Sequence, residues 1–451
     1  MFCWDKLRDY QLEDAKFLAS LICGGCFNEQ RTGKTPTSLA VAELIDAHKV
    51  LILCPASALY AWKEAYTDWR NEPCVVCDGT VKQRTKIIQD WTHGLVISYD
   101  TLKQTLRQPG HVTSILNSNP EMLIVDEGHR TRNPRTALSS AVFSLLSIPR
   151  RYVLTGTPNL GRNEDLWSLL HIIDPKRWSS YWAFIKAHFL TVRQTNPSGQ
   201  TYIDIIGLKA PSKKYLQQEL AAISTLRKRK DVMPWLPEKD YQVIKLPPTP
   251  AQLKYLKELN KYFETEHITT VGILDRLIRY RQICLAPALL ELKGSSPKMD
   301  WLHNYLSDYP DRPTIIFSKF TSFIHLFCKT HEGVGVIVGA TPKKERAEIV
   351  QRFQAGELNQ IFLNIDAGKE SLTLDRAEVM IFTDQYPPIG DIEQAEDRFV
   401  STTQDRADKP HTIYTLVMKG TYDEDIQRLL KARKSETDII NNYKQYLERS
   451  K

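Results

Sequence analysis

Eight short apolar runs constrain the fold of this chain more than any other feature. Four lie in the first half: VLILCP (50–55), LVIS (95–98), MLIVDE (122–127) and YVLTGTP (152–158). Four lie in the second: TIIFS (314–318), GVIV (335–338), IFLN (361–364) and VMIFTD (379–384). Val/Ile/Leu runs bounded by turn residues, with helical segments between them, are the pattern of parallel strands buried on both faces. Several runs end in a polar or charged residue, at the edge where open α/β sheets hold their ligands. A chain of 451 residues exceeds what one hydrophobic core organises. The expected class is therefore α/β, with two lobes over residues 1–235 and 236–451, each a parallel sheet flanked by helices. Residues 160–300 read mostly as helix, with loops around 194–213 and 231–250. This predicts a helical insertion over about 160–230 and a helical segment over about 250–305. The segment LPEKDYQVIKLPPTP (236–250) reads as a connector, because prolines at 247, 248 and 250 forbid helix.

Charge and cysteine usage set the setting. The 60 Lys and Arg against 53 Asp and Glu give +7, a mild excess that permits a polyanionic partner without proving one. No window approaches the roughly 20 apolar residues of a membrane helix, and the start MFCWDKLRDYQLEDAKF has no signal-peptide core. Eight cysteines in so long a chain fit a reducing cytoplasm better than a disulfide framework. The pairs Cys23/Cys26 and Cys74/Cys77 have the spacing of zinc ligands. Both sit in short apolar runs, where residues alternate between the faces of a strand, so buried thiols are the expectation.

The chemistry-bearing segment of the first half is Asn28-Glu29-Gln30-Arg31-Thr32-Gly33-Lys34-Thr35, placed between an apolar strand and the helical run SLAVAELI. A phosphate site needs backbone N–H groups at a helix start, a lysine and a hydroxyl for Mg²⁺, which Gly33, Lys34 and Thr35 supply. The pattern alone fits a helix start that happens to contain Gly-Lys-Thr equally well. A second element favours the phosphate reading. The run Leu123–Val125 leads into Asp126 and Glu127, suited to hold Mg²⁺ and to polarise an attacking water.

At this density of motifs the chain resembles the Swi/Snf-type branch of helicase superfamily two, over nearly its whole length. Leu7-Arg8-Asp9-Tyr10-Gln11 is similar to the family's adenine-reading L-R-x-Y-Q element. GGCFNEQRTGKT resembles its GG-x-L-x-DE-x-G-x-GKT segment, with Asn28 for Asp and Arg31 for Gly. ILCPASALYAW (52–62), VISYDTL (96–102), DEGHRTRN (126–133, with Gly128 where Ala is usual) and LTGTP (154–158) follow in order. In the second half, LRKRK (226–230), LPPTPAQLKYL (246–256), RQICLAPALL, SSPKMDWL, IIFSKFTS, GATPKKERAEIVQRFQ, NIDAGKESLTL (364–374), QAEDRFVSTTQ (394–404) and GTYDEDI (420–426) keep the family's sequence.

The resemblance implies two RecA-like lobes and an ATP-dependent, Mg²⁺-requiring motor that moves on double-stranded DNA, branched or forked DNA included. It implies nucleotide contacts from Arg8, Gln11, Gln30, Thr32, Gly33, Lys34 and Thr35, and metal contacts from Thr35 and Asp126. Catalytic roles fall to Lys34, Asp126, Glu127 and Arg398, and polymer contacts to Trp62, Lys319 and Thr341. The basic cluster Arg227–Lys230 reads equally as a solvated helix end or a polymer contact. The last arginine motif departs from the family at Ser401 and Thr403, leaving Arg406 or Lys369 as candidate substitutes. The alternatives that follow are an ATP-gated DNA clamp with weak hydrolysis and an RNA helicase of the same superfamily. A compact motor of this kind is expected in the cytoplasm of a bacterium or phage-infected cell, with a protein partner for targeting.

Overall fold

The computed structural model describes residues 2–106, 111–156, 163–195, 199, 201–235, 239–262, 264–265, 268–269, 272–364, 374–385, 392, 395–396, 411–432, 439, 442–443 and 446–447. The chain divides into two units, Met1–Pro234 and Trp235–Lys451.

The first unit is built on strands β1 (Cys23–Cys26), β2 (Val50–Cys54), β3 (Cys74–Val76), β4 (Gly94–Ser98), β5 (Met122–Asp126) and β6 (Arg150–Leu154). With β9 (Ser224–Thr225) they form one sheet in the order β3-β4-β2-β5-β6-β1-β9, parallel at every ladder. The apolar runs are continuous because both faces are covered. Val50, Ile52 and Cys54 enter one core, with Ala15 and Leu18 of α1 (Asp9–Ser20), Leu39–Ala42 of α2 (Lys34–Leu44) and Tyr66 of α3 (Leu59–Arg70). Leu51 and Leu53 enter the opposite core, against Leu166, Leu169 and Leu170.

The same alternation separates the cysteine pairs. Cys26 and Cys74 pack in the first core, while Cys77 packs in the second and Cys23 lies against it. Three residues apart in extended chain, the two thiols of a pair face opposite ways and cannot converge on one ion. Burial raises Cys74 to about 12 and Cys77 to about 11, so both are inert thiols.

One segment of the first unit differs from the sequence expectation. Residues 194–213 do not form a loop. Strands β7 (Phe189–Thr195) and β8 (Thr201–Leu208) form an antiparallel hairpin with a bulge at Leu190/Thr191, and a helix begins at Ala210. The signal was a polar stretch containing Pro and Gly (196–200) between runs rich in Thr, Val, Ile and Tyr.

The second unit carries β10 (Lys239–Leu246), a two-residue ladder of β11 (Glu264–Thr265) and β12 (Ile268–Thr269), then β13 (Thr314–Ser318), β14 (Val334–Ile337), β15 (Gln360–Asn364), β16 (Val379–Phe382) and β17 (His411–Met418). Its main sheet runs β10-β17-β16-β13-β15-β14, again parallel throughout. Ile315 and Phe317 face one core and Ile316 the other. The expected connector 236–250 is corrected here, since its residues 239–246 form an edge strand paired over eight residues with β17. Prolines 247 and 248 lie outside any helix. Helix Pro250–Tyr262 begins on Pro250, where a missing N–H costs nothing. Among the described residues, no helix is long and apolar enough to cross a membrane.

Candidate functional site

Sheet register gathers three loops of the first unit at one edge. Cys26 lies level with Leu154, and Leu154 with Asp126, so β1, β6 and β5 release their chains side by side. Adjacent strands are about 4.8 Å apart, which sets the ends of β1 and β5 about 10 Å apart.

The loop after β1 is held by its neighbours. The Thr32 carbonyl accepts hydrogen bonds from Tyr10 Oη (2.8 Å) and Gln11 Nε2 (3.0 Å), and the Thr32 hydroxyl donates to the Glu29 carbonyl (2.7 Å). Gln11 Oε1 accepts from the Arg8 backbone N–H (2.9 Å). Gln11, expected at the adenine, thus ties the loop after β1 to the start of α1. Gly33 turns into α2 with φ +79°, and a Cβ there would lie 2.0 Å from Gln11 Nε2, so only glycine fits. Arg31, which stands where the family has glycine, keeps the left-handed backbone at φ +61°. Lys34 Nζ donates to the carbonyls of Asn28 (3.1 Å) and Glu29 (3.2 Å). The Leu154–Gly156 chain passes close by, since a Cβ on Gly156 would meet Gln30 Cγ at 2.8 Å. Thr35 lies in the first turn of α2.

Across the edge, Asp126 accepts from Trp62 Nε1 at Oδ2 (2.8 Å) and from the Glu127 N–H at Oδ1 (2.9 Å). Burial first, and the Glu127 charge second, push the Asp126 carboxyl up to about 6, while the Trp62 N–H and Lys34 oppose the shift. Glu127 adopts φ +50°, an uncommon conformation of the kind stored at functional sites. Its Oε2 lies 3.2 Å from His129 Nδ1, which is 3.1 Å from Thr155 Oγ1. His129 therefore ties the acidic turn to the loop after β6. A Cβ on Gly128 would meet Val153 Cγ1 at 2.3 Å, which accounts for glycine where the family has alanine.

Trp62 requires a correction. Expected along the polymer path, it is 3% exposed in the core of the first unit and spends its indole N–H on Asp126. A buried Trp needs a partner for that N–H, and the carboxylate is the partner here.

In the second unit, Lys319 and Thr341 follow β13 and β14 and so leave the same edge of the second sheet. Asp384, beyond β16, accepts from Arg281 Nη2 (3.0 Å), Ser318 Oγ (2.7 Å) and the Lys319 N–H (3.1 Å). Asn364 Nδ2 donates to the Lys319 carbonyl (3.0 Å). Thr341 caps its own turn by accepting from the Val338 N–H (3.0 Å), and Arg346 donates to the carbonyls of Val338, Gly339 and Thr341. The quoted motifs contain Tyr10, His129 and Arg281, and an apolar run ends in Asp384, but sequence reasoning gave none of the four a role. Arg398, Ser401, Thr403, Arg406 and Lys369 lie outside the described residues.

The chain is 27% identical to the DNA annealing helicase and endonuclease ZRANB3 of Bos taurus over 476 residues, covering 99% of this chain and 42% of that protein. It is also 27% identical to the chromodomain-helicase-DNA-binding protein 1 of Homo sapiens, over 93% of this chain and 26% of that protein. The chain thus spans less than half the length of these relatives. Among solved structures, the Sulfolobus solfataricus SWI2/SNF2 ATPase core in complex with dsDNA matches with a TM-score of 0.44 and 22% identity, over 97% of this chain and 92% of that one. A helicase conserved C-terminal domain matches residues 297–402, and an SNF2-related domain matches residues 10–289. The chain belongs to the SNF2-related family, whose members use ATP.

Proposed function

We propose that this chain is an ATP-driven motor that translocates on double-stranded DNA. The observation that carries the reading is the convergence of the Lys34 loop, the Asp126–Glu127 turn and the Leu154–Gly156 segment on one sheet edge. Gly33, Lys34 and Thr35 suit phosphate binding, with α2 presenting its N-terminal N–H groups to the anion. Asp126 and the Thr35 hydroxyl are hard oxygen donors suited to Mg²⁺, which when bound neutralises phosphate charge. Glu127 accepts the proton of the attacking water, and His129 orients its carboxylate. Arg398 remains the proposed arginine finger on the resemblance alone. Lys319 and the Thr341 turn, both rigidly framed, are proposed to hold the phosphodiester backbone. Branched DNA is the proposed preferred form, after the annealing activity named for the ZRANB3 relatives. The eight cysteines, none in a disulfide, suit a cytoplasmic setting.

Steady-state phosphate release tests the reading, with Mg²⁺-ATP alone and then with duplex DNA, single-stranded DNA or RNA. Duplex DNA is expected to stimulate most, and Glu127→Gln to reduce the stimulated rate by at least about 100-fold. Preferential stimulation by RNA would identify an RNA helicase instead. No release with any polymer would leave a nucleotide-gated clamp.

A further inference from the structure

The basic stretch after β9 does something other than the two roles its composition suggested. Arg227 is turned inward. Its Nε pairs with Asp14 Oδ1 at 2.9 Å and its Nη2 with Glu13 Oε2 at 3.0 Å, both on α1. Its backbone N–H donates to Asn28 Oδ1 (2.9 Å), and its carbonyl accepts from the Glu29 N–H (2.9 Å). Two residues on, the Arg229 N–H donates to Glu29 Oε2 (2.7 Å). Asn28 completes the arrangement by donating from Nδ2 to Asp14 Oδ2 (2.7 Å). Asn28 and Asp14 are both buried, at 0% and 2% exposed.

Asn28 and Glu29 are also the two residues whose carbonyls hold Lys34 Nζ. The contacts of this stretch to Asp14, Asn28 and Glu29 therefore bear on the seat of the lysine that the phosphate site requires. The chemistry at position 28 is specific. An amide can donate to the Asp14 carboxylate and accept from a backbone N–H at the same time. A carboxylate at 28 would face Asp14 at 2.7 Å with like charge.

We propose that Asp14, Asn28 and Arg227 form a latch that positions Lys34 for the phosphates, with Arg227 acting as a positioning residue through Asn28 and Glu29. The proposal rests on the nucleotide-binding part of the functional reading. It assigns to the family's basic element a role on the nucleotide side. It also accounts for asparagine at position 28, where the family has aspartate.

The test separates binding from turnover in the full chain. Equilibrium binding of a fluorescent ADP analogue is measured beside KM and kcat for ATP, for wild type, Arg227→Ala, Asn28→Asp and the exchanged pair Asp14→Asn with Asn28→Asp. Loss of a charge-assisted bond predicts that Arg227→Ala weakens nucleotide binding and raises KM about ten-fold, with kcat within about two-fold. Asn28→Asp is expected to do the same, and the exchanged pair to recover at least half of the loss. Thermal melts accompany each variant. Arg227 is part-exposed at the surface, so Arg227→Ala carries the test if a position-28 variant does not fold. Unchanged binding and KM in Arg227→Ala would overturn the latch, as would failure of a folded exchanged pair to recover. Wild-type protein that binds no nucleotide would sink the functional reading along with it, whereas unchanged variants on a binding wild type sink the latch alone.

Discussion

The two sheets present the same kind of edge and finish it in opposite ways. At the first, the chain holds Arg31 and Glu127 at positive φ, seats a carboxyl with an acidity displaced to about 6 and rests Lys34 on main-chain carbonyls. At the second, Asp384 is surrounded by donors, and Asn364 and Arg346 close the turns beside it. Among the described residues, no non-glycine residue of that second edge has a positive φ. An edge that must exchange partners during a reaction tolerates strain and displaced acidity. An edge that must keep a grip in register cannot. The difference fits the proposal of chemistry at the first edge and grip at the second.

The contrast is open to measurement. The largest effect is expected at the second edge. Asp384→Ala leaves the Arg281 guanidinium, 6% exposed, without its carboxylate and should cost about 3–5 kcal/mol in urea unfolding. A loss under about 1 kcal/mol would show that the hub is not structural. The first edge should respond with the opposite sign. Asp126 ionises in the folded chain only near pH 6, against 3.8 ordinarily, so the unfolded state gains its charge first and stability falls as pH rises from about 4 to 6. Asp126→Asn removes the buried charge but sets its Nδ2 against one of the two donors the carboxylate satisfies, so the net gain at pH 7 should be about 1 kcal/mol, while any hydrolysis is lost. Thermal melts at pH 7 and pH 4 check this, because the gain should vanish at the lower pH. The smallest effect belongs to Arg31→Gly, expected to add about 0.5–1 kcal/mol by relieving the left-handed backbone. If it destabilises instead, the arginine side chain contributes more than its backbone costs.

What could be read in the sequence was what the chain writes contiguously. Seven of the eight apolar runs became inner strands and GVIV became the edge strand β14, while Asn28–Thr35 and Asp126–Glu127 fell where loops leave the first sheet. Relations that depend on distant partners were not legible. Trp62 read as a polymer contact because nothing in its neighbourhood announces Asp126, sixty-four positions away. Strand β10 read as a connector because an edge strand is half exposed and lacks the continuous apolar run of an inner one. Arg227 read equally as a solvated helix end or a polymer contact, because its partners on α1 lie more than two hundred residues earlier. The hairpin of β7 and β8 is different in kind. Its β-branched runs were visible and were outweighed by the polar residues among them.

The pairing of β10 with β17 has a consequence for how the second unit comes into being. The strand that opens the unit is the one that must wait for the strand made last, about 170 residues later. At roughly 5–20 residues per second of synthesis, Lys239–Leu246 emerges and then stands unpartnered for about ten to thirty seconds. Strands β13 through β16 pair among themselves, whereas β10 pairs only with β17 and so can dock no earlier than that strand. During that interval its row of N–H and C=O groups is a template for any other extended chain. The protein's most vulnerable moment is set by the order in which its strands are made.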